Sequence, residues 1–553
     1  MGRMTGPSGL PRSVDVLIVG GGATGAGILR DLASRGLHCL LVDKGDLASG
    51  TSGRYHGLLH SGARYVARDA QAARECIVEN AVLRRIAPAC IEDTGGVFVA
   101  TPDDPDDYVE AFPGRCAAAG IACDEETVAA LFRREPALNR AIRRAFRVPD
   151  AALEPWQLVE ANLADARRRG SLARPYQQVV GMDRNGGFLG DVEIADTRSG
   201  SIQRVAPRIV VSATGAWAGR LAALAGVGLQ MAPGKGTMLV YNQRMTDLVV
   251  NRCKPPGDGD IMVPVHTVAI LGTTESAVDD PDQYDVTRAE VETLVTEGEK
   301  LFPDLRRMRI LRAYAGVRPL YAADEVAGPA PDSSASGAAE RAISRAHVVI
   351  DHEVRDGVSN FVSVVGGKLT TYRLMAEQAA DLVCAKLGVD RPCTTADEVL
   401  PGQGRDRGYY WLGERLADHE AAGADAALIC ECELLTRPML EDFLSERMPC
   451  SIDDIRRGTR LGMGPCQGAF CTFRAAGVQA ALAPAEADPA AAEAAQVAFL
   501  RERYKGTRPI AWGRQLQELW LATGIYWGVL GVDAFEPATA GTPDDTAVGH
   551  GPG

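Results

Sequence analysis

The chain has 553 residues, of which 46% are hydrophobic and 24% charged, the balance of a soluble globular protein too long for a single core. Its formal net charge of −13 excludes non-specific nucleic-acid binding and a basic membrane-binding surface. No apolar run approaches the ~20 residues of a transmembrane helix. The start, MGRMTGPSGLPRS, lacks the apolar core of a secretory signal. A reducing cytoplasm is therefore expected, and the 13 cysteines are expected as thiols or metal ligands rather than disulfides.

Residues 14–19 form an apolar, β-branched run that reads as a buried parallel strand. Gly20, Gly22 and Gly25 follow as G-x-G-x-x-G, then a helical stretch over 26–35 and a second strand over 38–42. Asp43 ends that strand, 18 positions after Gly25. This is the setting of a dinucleotide site. Gly20 permits the tight turn, Gly22 admits a pyrophosphate to the helix N-terminus, and Gly25 lets helix and strand pack closely. Asp43 can accept hydrogen bonds from a ribose. The motif does not separate FAD from NAD.

Small residues from Gly45 to Gly53 read as a loop along a cofactor. His56 and His60 would share a face if helical, but no third ligand stands at useful spacing for a metal. His60, Arg64 and Tyr65 form a polar cluster, either a site or a solvated helix face. Residues 70–90 have helical periodicity. A strand over 209–213 runs into Thr214-Gly215-Ala216-Trp217, a second strand–glycine turn. Strands are expected in KGTMLVY and HTVAILGTTE, and a helix over 286–301. Arg318 precedes Pro319 and is biased to an extended backbone. Residues 328–341 read as a mobile loop. Arg345 lies in an expected strand over 342–351. Residues 361–365 lead into Gly366-Gly367-Lys368 and a helix over 369–386, the third strand–glycine–helix junction.

Residues 401–427 read as a linker. Beyond it stand Cys430-x-Cys432 and Cys466-x₄-Cys471, separated by 34 positions, with Ser451 and Asp454 offering a capping box between them. Four thiolates on two tight loops can hold a 2Fe–2S cluster or zinc, or remain plain thiols. Cys450 lies outside the pattern and reads as core. Residues 480–495 suit a linker or simple helix. Residues 509–532 carry Trp512, Trp520 and Trp527 and read as an aromatic helix, docked on its own chain or offering a partner-binding face.

The pieces IVGGGATGAGI, HGLLHSGARY, SATGAWA, ILGTTE, YAGVRPL and GGKLTTYRLMAE resemble the FAD-dependent glycerol-3-phosphate dehydrogenases. ICECELL and MGPCQGAFC resemble an iron–sulfur module of the bacterioferritin-associated-ferredoxin type. Joined, with TRPIAWG following, they resemble the iron–sulfur-bearing subunits of the anaerobic enzymes of that family. The resemblance implies an α/β Rossmann-like FAD-binding domain interleaved with a β-sheet substrate domain over residues 14–400. It implies a small helical 2Fe–2S module over 428–480 and a C-terminal tail over 481–553. Gly20, Gly22, Thr24 and Gly25 would hold the FAD pyrophosphate, and Asp43 its ribose. Thr51, Ser52 and Gly215 would lie along the cofactor, with Gly367, Lys368 and Leu369 at the pyrimidine end of the flavin. Arg318 and Arg345 would clamp the phosphate of glycerol 3-phosphate; Arg64, Tyr65 and His60 would complete the pocket, His60 as first candidate for the base. Cys430, Cys432, Cys466 and Cys471 would carry the cluster. Electrons would pass to partner subunits and the quinone pool, with the chain cytoplasmic and held at the inner face of the membrane through those partners. An amine or opine dehydrogenase of similar modular build, and a zinc-stabilised scaffold protein, are the alternatives.

Overall fold

The computed structural model describes residues 9–321, 346–403, 409, 411–421, 423, 427–447, 450–483 and 489–529. The chain divides into two units, Met1–Ala422 and Gly423–Gly553.

In the first unit, strand Ser13–Val19 sits inside a mostly parallel sheet. It pairs in parallel with Cys39–Val42 on one side and Ile202–Ser212 on the other. Leu172–Arg174 extends the sheet beyond Cys39–Val42, and Phe361–Gly366 runs parallel to Ile202–Ser212. A strand covered on both faces must be apolar throughout, which is why this segment shows no polar alternation. Val16 and Ile18 pack with helices Ala23–Ser34, Pro155–Arg168 and Tyr372–Leu387. Leu17 and Val19 pack with helix Ala218–Leu224 and the hairpin Gln177–Asn185/Phe188–Asp196.

A second, mixed sheet is built around Gly234–Tyr241, which pairs antiparallel with Val268–Gly272 and with Ile310–Arg318. The sheet continues through Ile261–Val265, Val249–Arg252, Gly96–Ala100 and Arg144–Val148 to Asp124–Glu126. The chain crosses between the two sheets repeatedly. The interleaving expected of this fold class is therefore present, and it delivers strand ends of both sheets to one region.

Several local expectations change. The helix over 70–90 stops at Ile86, because Pro88 opens a separate turn, Pro88–Cys90. His56 and His60 do not share a helix; strand Leu58–Leu59 runs between them. The proposed linker over 401–427 contains the helix Leu412–Ala421. Residues 328–341 and Arg345 lie outside the described residues, and the described strand there is His347–Asp351.

His352 bonds Asp356 through Nδ1 and Ser363 Oγ through Nε2, a serine–histidine–aspartate chain in outline. Ser363 is fully buried in its strand, so its hydroxyl has no route to a substrate and the chain is structural.

The second unit is helical. Arg437–Arg447, Ile452–Thr459 and Cys471–Leu482 enclose Leu440, Leu444, Ile455 and Ala475. The capping box of Ser451 and Asp454 forms, each accepting the other's backbone N–H. Val497, Phe499 and Leu500 of helix Pro489–Thr507 join the same core. The module therefore extends past residue 480, and the segment assigned to a tail completes it. Helix Gly513–Thr523 docks on this core through Ala522, with Thr523 Oγ1 3.0 Å from the Tyr504 hydroxyl, and leaves Trp520 75% exposed and Leu521 62%. Among the described residues no helix is long and apolar enough to cross a membrane.

Candidate active site

The cradle begins where strand Ser13–Val19 ends. Gly20 has φ +111°, and a Cβ there would lie 2.4 Å from the Ala213 carbonyl oxygen. A Cβ on Gly25 would lie 1.9 Å from the Gly20 carbonyl oxygen, so only glycine lets the helix start this close to its strand. Helix Ala23–Ser34 has no side-chain cap, which leaves an amide-rich N-terminus suited to an anion. Ser52 Oγ accepts the Ala23 N–H at 3.0 Å and docks the small-residue loop on this helix start. Thr51 Oγ1 donates to the Val317 carbonyl at 2.6 Å, tying the loop to the second sheet.

Asp43 accepts the N–H of Gly21 at 2.7 Å and of Gly45 at 2.9 Å. Burial pushes its carboxyl up from the usual range, and these two donors oppose the shift. The second glycine turn places Gly215 at φ +59°. In the third, Gly366 and Gly367 have φ +75° and +77°, and a Cβ on Gly367 would meet Met375 Sδ at 2.4 Å.

These turns line one cavity of about 550 Å³. Gly20, Gly22, Thr24, Asp43, Thr51 and Ser52 lie on its wall, as do Gly215, Gly367, Lys368 and Leu369. Gly25 stands behind the wall, in the helix–strand packing. A wall of backbone amides and small side chains, with a carboxylate at one end, fits an elongated dinucleotide.

The other end is polar and aromatic. His60 and Tyr65 line it with ring centroids 5.4 Å apart, and Lys368 Nζ stands 4.5 Å from the centre of the Tyr65 ring. The His60 backbone N–H donates to Thr370 Oγ1 at 3.1 Å, which joins this loop to the third glycine turn. Arg318 lines the cavity at the end of strand Ile310–Arg318. Its Nη2 donates to Thr273 Oγ1 at 2.6 Å and the Thr274 carbonyl at 3.1 Å, with Glu275 at 3.7 Å from Nη1. Gly236 makes room for it: a Cβ there would lie 2.6 Å from Arg318 Nη2.

The structure does not bring every expected residue to this wall. Arg64 pairs with the buried Asp260 at 2.8 Å and is absent from the cavity lining. Arg345 lies outside the described residues. Conversely, Arg54 and His56 line the cavity without having been expected there. Arg54 follows the small-residue loop directly, and that adjacency is the signal that could have found it. Leu58 N–H donates to His56 Nδ1 at 3.2 Å, a contact between near neighbours that only the folded loop reveals.

In the second unit the four cysteines of the pattern converge. The thiols of Cys430 and Cys466 each adjoin those of Cys432 and Cys471. Backbone N–H groups of Gly462 and Glu433 point to the Cys430 sulfur, and those of Gly468 and Ala469 to the Cys466 sulfur. The neighbouring thiols first, and these N–H groups after them, hold Cys430 and Cys466 well below the usual thiol range, while the same neighbours push Cys432 and Cys471 up. The turns that aim them place Gln467 at φ +52° and Gly468 at φ +92°. Among the described residues, no group of three or more His, Cys, Asp or Glu side chains that could hold a metal ion is found. Cys430, Cys432, Cys466 and Cys471 would supply the four thiolates that a 2Fe–2S cluster needs, with backbone N–H donors beside two of the sulfurs.

The interleaved sheets, three glycine turns and one elongated cavity define a flavin-type dinucleotide-binding oxidoreductase fold. Residues 15–382 match the family described as FAD dependent oxidoreductase, and the chain belongs to that family. It is 41% identical to one subunit of the anaerobic glycerol-3-phosphate dehydrogenase of Escherichia coli, over 94% of this chain and 98% of that one. It is 40% identical to the corresponding subunit of the anaerobic glycerol-3-phosphate dehydrogenase of Haloferax volcanii, over 97% of this chain and 94% of that one. The glycerol-3-phosphate dehydrogenase of Bacillus halodurans complexed with FAD shares the fold at TM-score 0.62 and 19% identity, over 90% of this chain and 96% of that one. Glycine oxidase from Geobacillus kaustophilus shares it at TM-score 0.53 and 21% identity, over 71% of this chain and 99% of that one. The fold alone therefore does not choose between an alcohol and an amine substrate.

Proposed function

We propose that the chain oxidises sn-glycerol 3-phosphate at C2 to dihydroxyacetone phosphate, and that the electrons leave through a 2Fe–2S cluster to partner subunits and the quinone pool. The observation that carries this is the single cavity. Its wall combines a backbone cradle for a dinucleotide with the side chains of Arg318, Arg54, Lys368, Tyr65 and His60. The near full-length relatives named for this substrate favour it over an amine.

FAD bound in the cradle supplies a hydride acceptor. Gly20, Gly22 and Thr24 seat its pyrophosphate on the helix start, Gly25 lets that helix start close to its strand, and Asp43 takes the ribose hydroxyls. Thr51, Ser52 and Gly215 run along it, and Gly367 and Leu369 bound its far end. Lys368 offsets negative charge that develops there. Arg318 grips the substrate phosphate with its guanidinium fork, and Arg345 is its proposed second arm. His60 takes the proton of the C2 hydroxyl through a ring nitrogen, imidazole being a common general base. Cys430, Cys432, Cys466 and Cys471 hold the cluster as thiolates. The chain works at the cytoplasmic face of the membrane, held there by partner subunits.

Arg318→Ala tests the substrate assignment. A hydrogen bond to a charged group is worth about 1.5–3 kcal/mol, so the variant should slow flavin reduction by subsaturating glycerol 3-phosphate about 10- to 200-fold. Flavin content should stay at the wild-type level, and free glycerol should be a poor reductant of both proteins. Equal reduction of the wild type by glycerol and by glycerol 3-phosphate would refute a phosphate clamp.

A further inference from the structure

The loop over 278–287, between strand Ser276–Ala277 and helix Arg288–Glu299, leaves the second sheet and reaches the nucleotide end of the cavity. Its ends are fixed on strand Gly234–Tyr241 and the residue before it. Val278 N–H donates to the Pro233 carbonyl at 3.1 Å, and Lys235 Nζ to the Asp285 carbonyl at 2.9 Å. Its middle contributes Pro281, Asp282 and Tyr284 to the cavity wall.

Asp282 is the hub of the crossing. Its Oδ1 accepts from Trp217 Nε1 at 2.9 Å and Lys44 Nζ at 3.2 Å, and its Oδ2 accepts from Arg220 Nη1 at 2.6 Å. Arg220 Nη2 also donates to Asp280 at 2.6 Å, and Lys44 lies 4.5 Å over the Trp217 ring. Lys44 directly follows Asp43, and Trp217 closes the turn that carries Gly215. One carboxylate thus clips together both turns that flank the cradle. Farther along the loop, Tyr284 stacks under Arg54, 4.3 Å from its ring centre.

We propose that this loop is a strap that retains the dinucleotide, with Asp282 as its clasp and as a positioning residue for cofactor binding; the inference rests on the FAD reading above. Departure of the nucleotide end requires the strap to lift, and lifting breaks the contacts of Asp282. Those partners are half exposed: Lys44 46%, Asp282 45%, Arg220 52%. Their attraction is therefore open to screening by salt. The arrangement makes cofactor retention dependent on ionic strength although the cradle itself is built from backbone amides.

The test compares FAD release from flavin-loaded wild type, Asp282→Asn and the control Asp279→Asn, an exposed neighbour on the same loop. Release is followed by the rise of free-flavin fluorescence after dilution at about 20 mM and about 0.5 M NaCl, on either side of the range where the Debye length falls from ~20 Å to a few Å. Contacts of this kind are individually weak, so the expected acceleration in Asp282→Asn at low salt is about 3- to 30-fold. Wild type and Asp279→Asn should release faster at high salt, and Asp282→Asn should lose most of that salt response. Thermal midpoints of the apoproteins should agree, which separates retention from folding. Wild-type release that ignores salt overturns the strap without recourse to any variant. Release from Asp282→Asn at or below the wild-type rate overturns it too. A wild type that holds no flavin at all refutes the cofactor reading instead, so the two failures are told apart.

Discussion

Gly25→Val is expected to give a protein that purifies with at least about tenfold less flavin than the wild type. The reason is geometric. Even the first carbon of any side chain at this position would sit 1.9 Å from the Gly20 carbonyl oxygen, which is backbone and has nowhere to go. The helix must slide away from its strand, and the amides that face the pyrophosphate move with it. Gly22 makes an instructive contrast. A Cβ there would approach only Ser52, with Oγ nearest at 3.0 Å, a side-chain atom that can turn aside. Gly22→Ala should therefore fold and melt as the wild type does, yet bind FAD more weakly because its methyl intrudes on the cavity. Flavin absorbance per chain and thermal midpoints, measured on both variants, check the pair. Full flavin occupancy in Gly25→Val would show that this turn is not the cradle.

Cys466→Ser is expected to separate two half-reactions. The cavity and its lining lie in the first unit, and the four cysteines in the second. Serine replaces a soft thiolate by a hydroxyl that ligates iron poorly. It also leaves the Gly468 and Ala469 N–H groups facing an oxygen in place of a sulfur. The variant should keep its FAD and bleach with glycerol 3-phosphate at close to the wild-type rate. Quinone reduction through the partner subunits should fall at least about a hundredfold, and a dye that takes electrons at the flavin should restore turnover. Iron and acid-labile sulfide should be present in the wild type and lost in the variant. Undiminished quinone reduction without iron would remove the relay from the account, and zinc without sulfide in the wild type would make the four cysteines a structural site.

Much of this was legible in the sequence because it depends on local constraints. The fingerprint around Gly20 is written in the spacing of glycines against an apolar strand, and both are consequences of one tight turn. The same holds for the turns at Gly215 and Gly367, and for the capping box at Ser451. What spacing does not encode is the partner across the fold. Arg64 sits in the same short polar cluster as His60 and Tyr65, but its partner is Asp260, nearly two hundred positions away, and that buried pair draws it off the cavity wall. Arg54 reaches the wall although nothing in its own residue type marks it. The boundary of the second module was missed for a related reason. The alanine-rich start of helix Pro489–Thr507 looks like a linker, and only Val497, Phe499 and Leu500 farther along commit it to the core. The segment around Trp520 has helical spacing, but periodicity alone does not say which residues of a face are covered, and Trp520 itself stays exposed.

One cavity is proposed to join a flavin to glycerol 3-phosphate. The most direct test is anaerobic mixing of the purified chain with glycerol 3-phosphate in a stopped-flow spectrophotometer. The account predicts loss of the oxidised flavin absorbance with saturating dependence on substrate, release of dihydroxyacetone phosphate, and no comparable bleaching by glycerol, glycine or proline. Bleaching by an amine substrate with glycerol 3-phosphate inert, or a bound nicotinamide dinucleotide in place of flavin, would contradict it.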